Sequence, residues 1–348
     1  MLTSLLRQAR DTSFALMHAT GLTERVENSN WRSNRLMVLG YHGVSLRDEH
    51  EWDPNMYCTP EFVRRRFEVL RERKYTVLPL DEAFVRLHQH TLPPRSVVLT
   101  FDDGFYNFHK AALPLLQEFQ FPATVYLSTF HCIHQRPLTE STIRYLLWRA
   151  RRKRPEGIGT SKQWHRPDLS NRDECEQVTQ TLLSDIARLG PDDSLKSQWL
   201  GDLATTLGES WDDVLQSRIM HLMTEAEVSD CASLGIDIQL HTHRHRMPND
   251  EALFRDEINT NRSLVEALSG RPTTHFCYPS GQHSPEHLAW MRNMQITTAT
   301  TCEPGIATEV SQPLLIPRFI DTMVQSEARF IAWIAGAGAM AALSGRSN

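Results

Sequence analysis

Cysteine is scarce and scattered in this 348-residue chain: Cys58, Cys132, Cys175, Cys231, Cys277 and Cys302 form no C-x-x-C pair. That spacing argues against a disulfide framework and fits reduced thiols in a cytoplasmic protein. Strong charge of one sign is also missing. The formal net charge is -5 and the isoelectric point about 6.3, so nucleic acid and anionic membrane are not expected as main partners. One dense basic run, Arg151-Arg152-Lys153-Arg154, reads as a solvated patch between helices. Long apolar runs are absent too. Residues 1–35 carry Arg7, Arg10, Asp11 and Glu24, and match neither a secretory signal nor a transmembrane span. Leu5, Leu6, Phe14, Ala15 and Leu16 instead predict an amphipathic helix packed on the body. Phe330 to Leu343 is apolar but short and rich in Gly and Ala, which predicts a packed helix. Peripheral contact with a membrane stays open.

What remains is an ordinary globular composition, with 40% hydrophobic and 23% charged residues. From residue 36 the chain alternates strand and helix signals. Strands are expected at Leu36–Leu39, Tyr75–Leu80, Ser96–Phe101, Ala123–Leu127, Ile236–Leu240, Thr274–Tyr278, Thr297–Thr301 and Leu314–Phe319. Thr59-Pro60 opens one helix, Thr224 to Glu227 is a capping box for another, and Pro114 interrupts the helix over 105–119. Between 131 and 222 the rhythm breaks into polar, helix-periodic sequence with Trp148, Trp164, Trp199 and Trp211 and no clear strand. The expected architecture is α/β: a (β/α) barrel of about seven strands over 36–325. A helical insertion at 131–222, a helical segment at 1–35 and a helical tail at 326–348 complete it.

Two short motifs carry the chemistry. Thr100-Phe101-Asp102-Asp103-Gly104 follows the apolar run Val97-Val98-Leu99, and His241-Thr242-His243-Arg244-His245 follows Ile236 to Leu240. Adjacent acids before glycine are common in turns. Placed after a buried strand in a β/α fold, they sit where such folds keep their active sites. Extended chain points the two carboxylates to opposite sides, so one could bind a metal while the other works on a bound water. Continued extended chain would put all three histidines on one face, whereas a turn after the strand would pair His241 with His245. Either pairing could chelate, and with a carboxylate it makes a three-ligand transition-metal site. Thr242 could hydrogen-bond behind the ligands.

TFDDG at 100–104 and HTxxH at 241–245 resemble the first two motifs of the polysaccharide deacetylase family, in order and spacing over about 36–322 outside the insertion. The resemblance implies a distorted (β/α) barrel that removes N- or O-acetyl groups from sugars. It implies Asp102 as general base, and Asp103, His241 and His245 as ligands of a divalent metal, zinc first, with cobalt, manganese or nickel as alternatives. His243 falls on a variable position. Phe276-Cys277-Tyr278-Pro279-Ser280-Gly281 stands at the third motif, where the family's arginine is replaced by Cys277. Arg318 is the candidate substitute, and Tyr278, Pro279 and Gly281 are candidates for the sugar site, with the Tyr278 backbone helping to bind an oxyanion. The family's late Leu-x-His motif is missing, so His42 in Gly40-Tyr41-His42-Gly43 takes the general-acid role, as in relatives that look circularly rearranged. His283 and His287 read as surface histidines beginning a helix. The expected partner is an N-acetylated carbohydrate, a glycan or a glycan-biosynthesis intermediate. The rival reading is a non-catalytic glycan-binding relative.

Overall fold

The computed structural model describes residues 2–153, 155–158, 164–190 and 193–344. Eight strands form one sheet: β1 Met37–Tyr41, β2 Thr76–Val77, β3 Ser96–Phe101, β4 Thr124–Leu127, β5 Asp237–Leu240, β6 His275–Cys277, β7 Thr298–Thr300 and β8 Phe319–Ile320. Their order is β7-β6-β5-β4-β3-β1-β8, with β2 added at the start of β3. Every pairing is parallel. Every residue of β1 and β3 is buried, which is why these strands read as unbroken apolar runs rather than as alternation.

Seven strands curl into a half-barrel that residues 313–320 bring toward closure. The Thr301 N–H donates to the Ile316 carbonyl at 2.9 Å, and the Ile316 N–H to Ala299 at 2.8 Å. Three residues later β8 pairs Phe319 with Leu39 and Ile320 with Gly40. The result is the expected distorted (β/α) barrel. Its last strand is shorter than the apolar run from Leu314 suggested. Pro313 and Pro317 each remove a ladder donor, and Pro317 also restricts Ile316, so only Phe319 and Ile320 pair as a strand. Pro79 likewise cuts β2 short and stands at the N-cap of helix Leu80–His88. Pro114 leaves a π-helical turn, Phe108–Ala112, before helix Leu113–Phe119.

The stretch between β4 and β5 carries helices Thr139–Ala150, Arg172–Ala187, Asp193–Thr206 and Trp211–Ser217. They share a separate apolar cluster that includes Ile143, Leu147, Val178, Leu182 and Leu203. A short antiparallel ribbon, Glu156–Ile158 with Trp164–His165, adds β structure that the helical periodicity did not reveal. At the other end of the chain, helix Leu2–Ala19 buries Phe14 against Ala332 and Ala337. Among the described residues no helix is long and apolar enough to cross a membrane.

Candidate metal centre

Asp102 and Asp103 stand at the C-terminal end of β3, where the backbone leaves the sheet abruptly. The Gly104 N–H donates to the Asp102 carbonyl at 2.9 Å, and Asp103 has φ of 71°. Together these describe a γ-turn of the rare positive-φ kind. Gly104 itself has φ of 83°, and a Cβ there would lie 2.3 Å from Leu127 Cδ1. The turn sends the two carboxylates to different partners.

Asp103 Oδ1 lies 3.2 Å from His241 Nε2 and 3.1 Å from His245 Nε2. The His241 and His245 rings are 4.9 Å apart, brought together by a turn in which Thr242 and His245 have φ of 61° and 54°. Thr242 Oγ1 accepts the Arg246 N–H at 3.1 Å and closes that turn. His241 Nδ1 is 2.8 Å from the Cys277 carbonyl, which can only accept, so the Nδ1 carries a proton. In the neutral ring Nε2 is therefore a lone pair aimed at a carboxylate oxygen. Acceptors converge, and a cation resolves that conflict. Ligand atoms about 2.0–2.2 Å from a tetrahedral ion stand roughly 3.3–3.6 Å apart, so the two Asp103–histidine spacings need only a small expansion. The residues fit a divalent metal. Burial opposes ionisation of Asp103, but in the absence of an ion protonated facing imidazoles, His245 foremost, would hold its carboxyl well below the usual range.

Asp102 is gripped instead by Arg318. Nη1 and Nη2 each donate to a different carboxylate oxygen at 2.7 Å, Nη1 also to Thr100 Oγ1 at 3.0 Å, and Nε to the Thr301 carbonyl at 2.9 Å. Burial pushes the Asp102 carboxyl up, and the Arg318 charge overrides it to about 2. Cys277 Sγ lies 3.0 Å from Arg318 Nη2 and 3.4 Å from Asp102 Oδ2. Burial drives its thiol well above the ordinary value, so it stays protonated. His42 Nε2 is 3.7 Å from Asp102 Oδ2, and its ring is part-exposed.

Two sequence expectations change. Tyr278 faces away from this centre: its hydroxyl donates to the Leu314 carbonyl at 2.9 Å, and its ring packs on Phe276 and near Met291. Its N–H is committed to Thr300, so the oxyanion role falls away. Alternation along β6 explains this, since Cys277 points inward and its neighbours outward. Pro279 and Gly281 follow β6 on a one-turn 3-10 helix, where a Cβ on Gly281 would lie 3.2 Å from Cys302 Cβ. His287 is buried rather than a surface group. Its Nδ1 accepts the Ser284 N–H in a capping box, and its Nε2 donates to Pro248. His243 bonds Thr129 Oγ1 through Nδ1 and is not among the converging atoms.

Two residues that the motifs did not flag hold the histidine loop. Asn261 Oδ1 accepts the His241 N–H at 3.0 Å, and its Nδ2 donates to Leu127 and Thr129. Glu257 accepts from the Arg244 N–H and from the guanidinium groups of Arg244 and Arg246. Both project from helix Glu251–Ser269, four residues apart on the buried face with Phe254, Ile258 and Val265. Two fully buried polar groups at helical spacing among apolar residues were the available signal.

The cleft has a volume of about 530 Å³. Asp103 and His245 reach it from the barrel, Trp52, Met56 and Tyr57 from the segment after β1, and Thr139, Glu140, Ser141 and Arg144 from the insertion.

The chain is similar to known proteins in sequence and in fold. The sequence model of a family described as polysaccharide deacetylase matches residues 89–180 and 207–299. A poly-β-1,6-N-acetyl-D-glucosamine N-deacetylase of Escherichia coli K12 is 32% identical over 126 residues, covering 35% of this chain and 18% of that protein. The match thus spans less than a fifth of that relative's length. Among solved structures, the Streptococcus pyogenes deacetylase PplD superposes with a TM-score of 0.57 at 15% identity, over 86% of this chain and 98% of its own. IcaB from Ammonifex degensii gives a TM-score of 0.54 at 15% identity, over 86% and 97%. At that identity these two report the fold.

Proposed function

The chain belongs to the polysaccharide deacetylase family, and from that premise we propose that it is a metal-dependent hydrolase removing N-acetyl groups, or O-acetyl groups, from a glycan built of N-acetylglucosamine. The convergence of Asp103, His241 and His245 beside a buried, guanidinium-held Asp102 carries this reading. The name of the Escherichia coli relative supports the substrate class.

Asp103, His241 and His245 would hold the ion, and zinc is first in line because three N/O protein ligands are the usual catalytic zinc set. When bound, such an ion polarises the acyl carbonyl and lowers the pKa of a water from 15.7 to about 7. Asp102 takes the proton from the attacking water. At a pKa of about 2 it is a weak base, and Arg318 exchanges basicity for a fixed orientation of both oxygens. Once the proton has moved, the Asp102–Arg318 pair loses its net neutrality, so Asp102 hands the proton on readily. His42, 3.7 Å away, would protonate the leaving amine. Proton transfer of this kind contributes on the order of 10²–10⁴-fold.

Elemental analysis of wild type beside His241→Ala tests the reading, followed by acetate release from N-acetylglucosamine oligomers. Close to one divalent transition metal per chain, lost in the variant, is the expected result. Wild-type protein that takes up no zinc, cobalt or manganese on reconstitution would point to a glycan-binding module instead.

A further inference from the structure

Attack on an acyl group puts negative charge on its oxygen, and donors aimed at that charge are usually the largest single contribution to catalysis. The Tyr278 N–H is committed to the Thr300 carbonyl at 3.2 Å. Ser128 Oγ donates to the His241 carbonyl at 2.9 Å. Neither can serve.

Tyr57 has the capacity that they lack. It is 1% exposed and lines the cleft with Asp103 and His245. Its hydroxyl has one partner among the described residues, Met220 Sδ at 3.9 Å. A thioether is a weak acceptor, and a buried hydroxyl without a good partner calls for an explanation. The Met220 end of the ring lies at the cleft wall. Leu138, whose N–H donates to the Met220 carbonyl at 2.8 Å, lines that space, and so does Leu222. Turning the O–H about its C–O bond is enough to redirect the hydrogen from sulfur to a ligand.

The ring itself is fixed. It packs on Trp52 and Phe105, with centroids 5.8 and 5.5 Å away. It also covers Gly43, where a Cβ would lie 2.3 Å from Tyr57 Cδ1. Gly43 follows His42, and Phe105 follows the Asp103-Gly104 turn, so the ring stands between the two halves of the centre. Burial, reinforced by the charges of Glu49, Asp103 and Asp53, pushes the hydroxyl well above its ordinary value, and it keeps its proton.

We propose that the Tyr57 hydroxyl is a catalytic donor, hydrogen-bonded to the acyl oxygen of the substrate as that oxygen becomes negative. This rests on the deacetylase reading. The water oxygen bonds to the acyl carbon while the C=O π pair moves onto the acyl oxygen. The pair returns as the C–N bond breaks and acetate leaves, and Tyr57 keeps its proton throughout. The hydrogen bond is stronger to the oxyanion than to the neutral carbonyl, so its loss lowers kcat and spares KM.

The test is Tyr57→Phe, which removes one oxygen and keeps the ring. Metal content and acetate-release kinetics on N-acetylglucosamine oligomers are measured beside wild type. A calorimetric arm titrates into both metal-loaded proteins a sugar whose acetamide is replaced by a methylphosphonamidate, a tetrahedral anion that is not hydrolysed. The expected loss is about 10²–10³-fold in kcat, with KM and metal content unchanged and phosphonamidate affinity reduced. Met220→Leu, which removes the sulfur and leaves the hydroxyl, keeps both. A Tyr57→Phe protein with wild-type kcat and phosphonamidate affinity would overturn the role, as would one whose KM rises while kcat holds. Wild type that releases no acetate removes the deacetylase reading. The calorimetric arm then decides Tyr57 alone: affinity that falls in the variant sustains the donor, and affinity that is unchanged, or absent from both proteins, overturns it.

Discussion

Arg318 meets Asp102 with both terminal nitrogens, each 2.7 Å from a different carboxylate oxygen, and the Arg318 side chain is fully buried. The guanidinium that supports the Asp102 carboxylate therefore enters from the segment leading into β8. The third motif on β6, where the family pattern has arginine, provides only the small side chain of Cys277. The two positions have divided one job between them: Arg318 brings the charge, and Cys277 leaves it room.

Arg318→Met should leave Asp102 a buried, unpaired charge. Breaking such a pair costs about 3–5 kcal/mol, so the denaturation midpoint should fall sharply and turnover should collapse. Arg318→Lys keeps the charge but loses the fork, and should be less destabilised yet still slow. Urea titration beside acetate-release kinetics checks both. An Arg318→Met protein of wild-type stability and rate would contradict the pairing.

Restoring the family residue should do harm in this chain. Cys277→Arg would put a second guanidinium where Sγ already lies 3.0 Å from Arg318 Nη2, with one carboxylate to serve both. Overpacking alone costs about 1–3 kcal/mol, and a buried like charge adds to that. Poor folding is expected, relieved in the double variant Cys277→Arg/Arg318→Met. Thermal melts of the two variants decide the matter.

Gly104→Ala should cost about 1–3 kcal/mol, because its φ of 83° is unfavourable for an L residue. A contact of 2.3 Å with Leu127 Cδ1 adds to the strain. Relief of that strain would unwind the γ-turn and shift Asp103, so weaker metal retention should accompany the lower stability. Dialysis against a chelator, followed by metal analysis, measures it. Leu127→Ala in the same chain should recover only part of the loss, since it removes the contact and not the backbone conformation.

Glu257 sets an acid limit on the histidine loop. Burial opposes its ionisation, but hydrogen bonds from the Arg244 N–H and the two guanidinium groups hold its carboxyl below the ordinary 4.5. A depressed acid stabilises the fold above its unfolded pKa, and that contribution disappears as pH falls through the folded value. Below pH 4.5 the loop should therefore loosen, and Glu257→Gln should show the same loosening at neutral pH. Loss of one partner from a buried polar cluster costs about 1–3 kcal/mol. Hydrogen exchange of the Arg244 amide reports it, and unchanged protection in the variant would refute the role.

The parallel strands were legible because burial on both faces turns them into apolar runs, as at Val97-Val98-Leu99. The pairing of His241 with His245 was one of two arrangements that the spacing allowed; positive φ at Thr242 and His245 selects it, and sequence spacing does not encode φ. Tyr278 was misplaced by its motif, although the two-residue period of β6 already separates it from Cys277. Arg318 could be named only as a candidate, because a contact across 216 residues of chain leaves no local trace. Asn261 and Glu257 were missed for a different reason. Their helix reads as ordinary amphipathic sequence unless the polar pair on its inner face is noticed.

The late arrival of Arg318 gives this molecule an order of assembly during synthesis. Asp102, Asp103 and both histidines come from the ends of β3 and β5, all earlier in the chain than residue 318. Until the chain around β8 docks against Leu39 and Gly40, however, the carboxylate beside that centre has no counter-ion and no fixed direction. A chain cut before residue 318 would therefore leave Asp102 without its counter-ion even with Asp103, His241 and His245 all present.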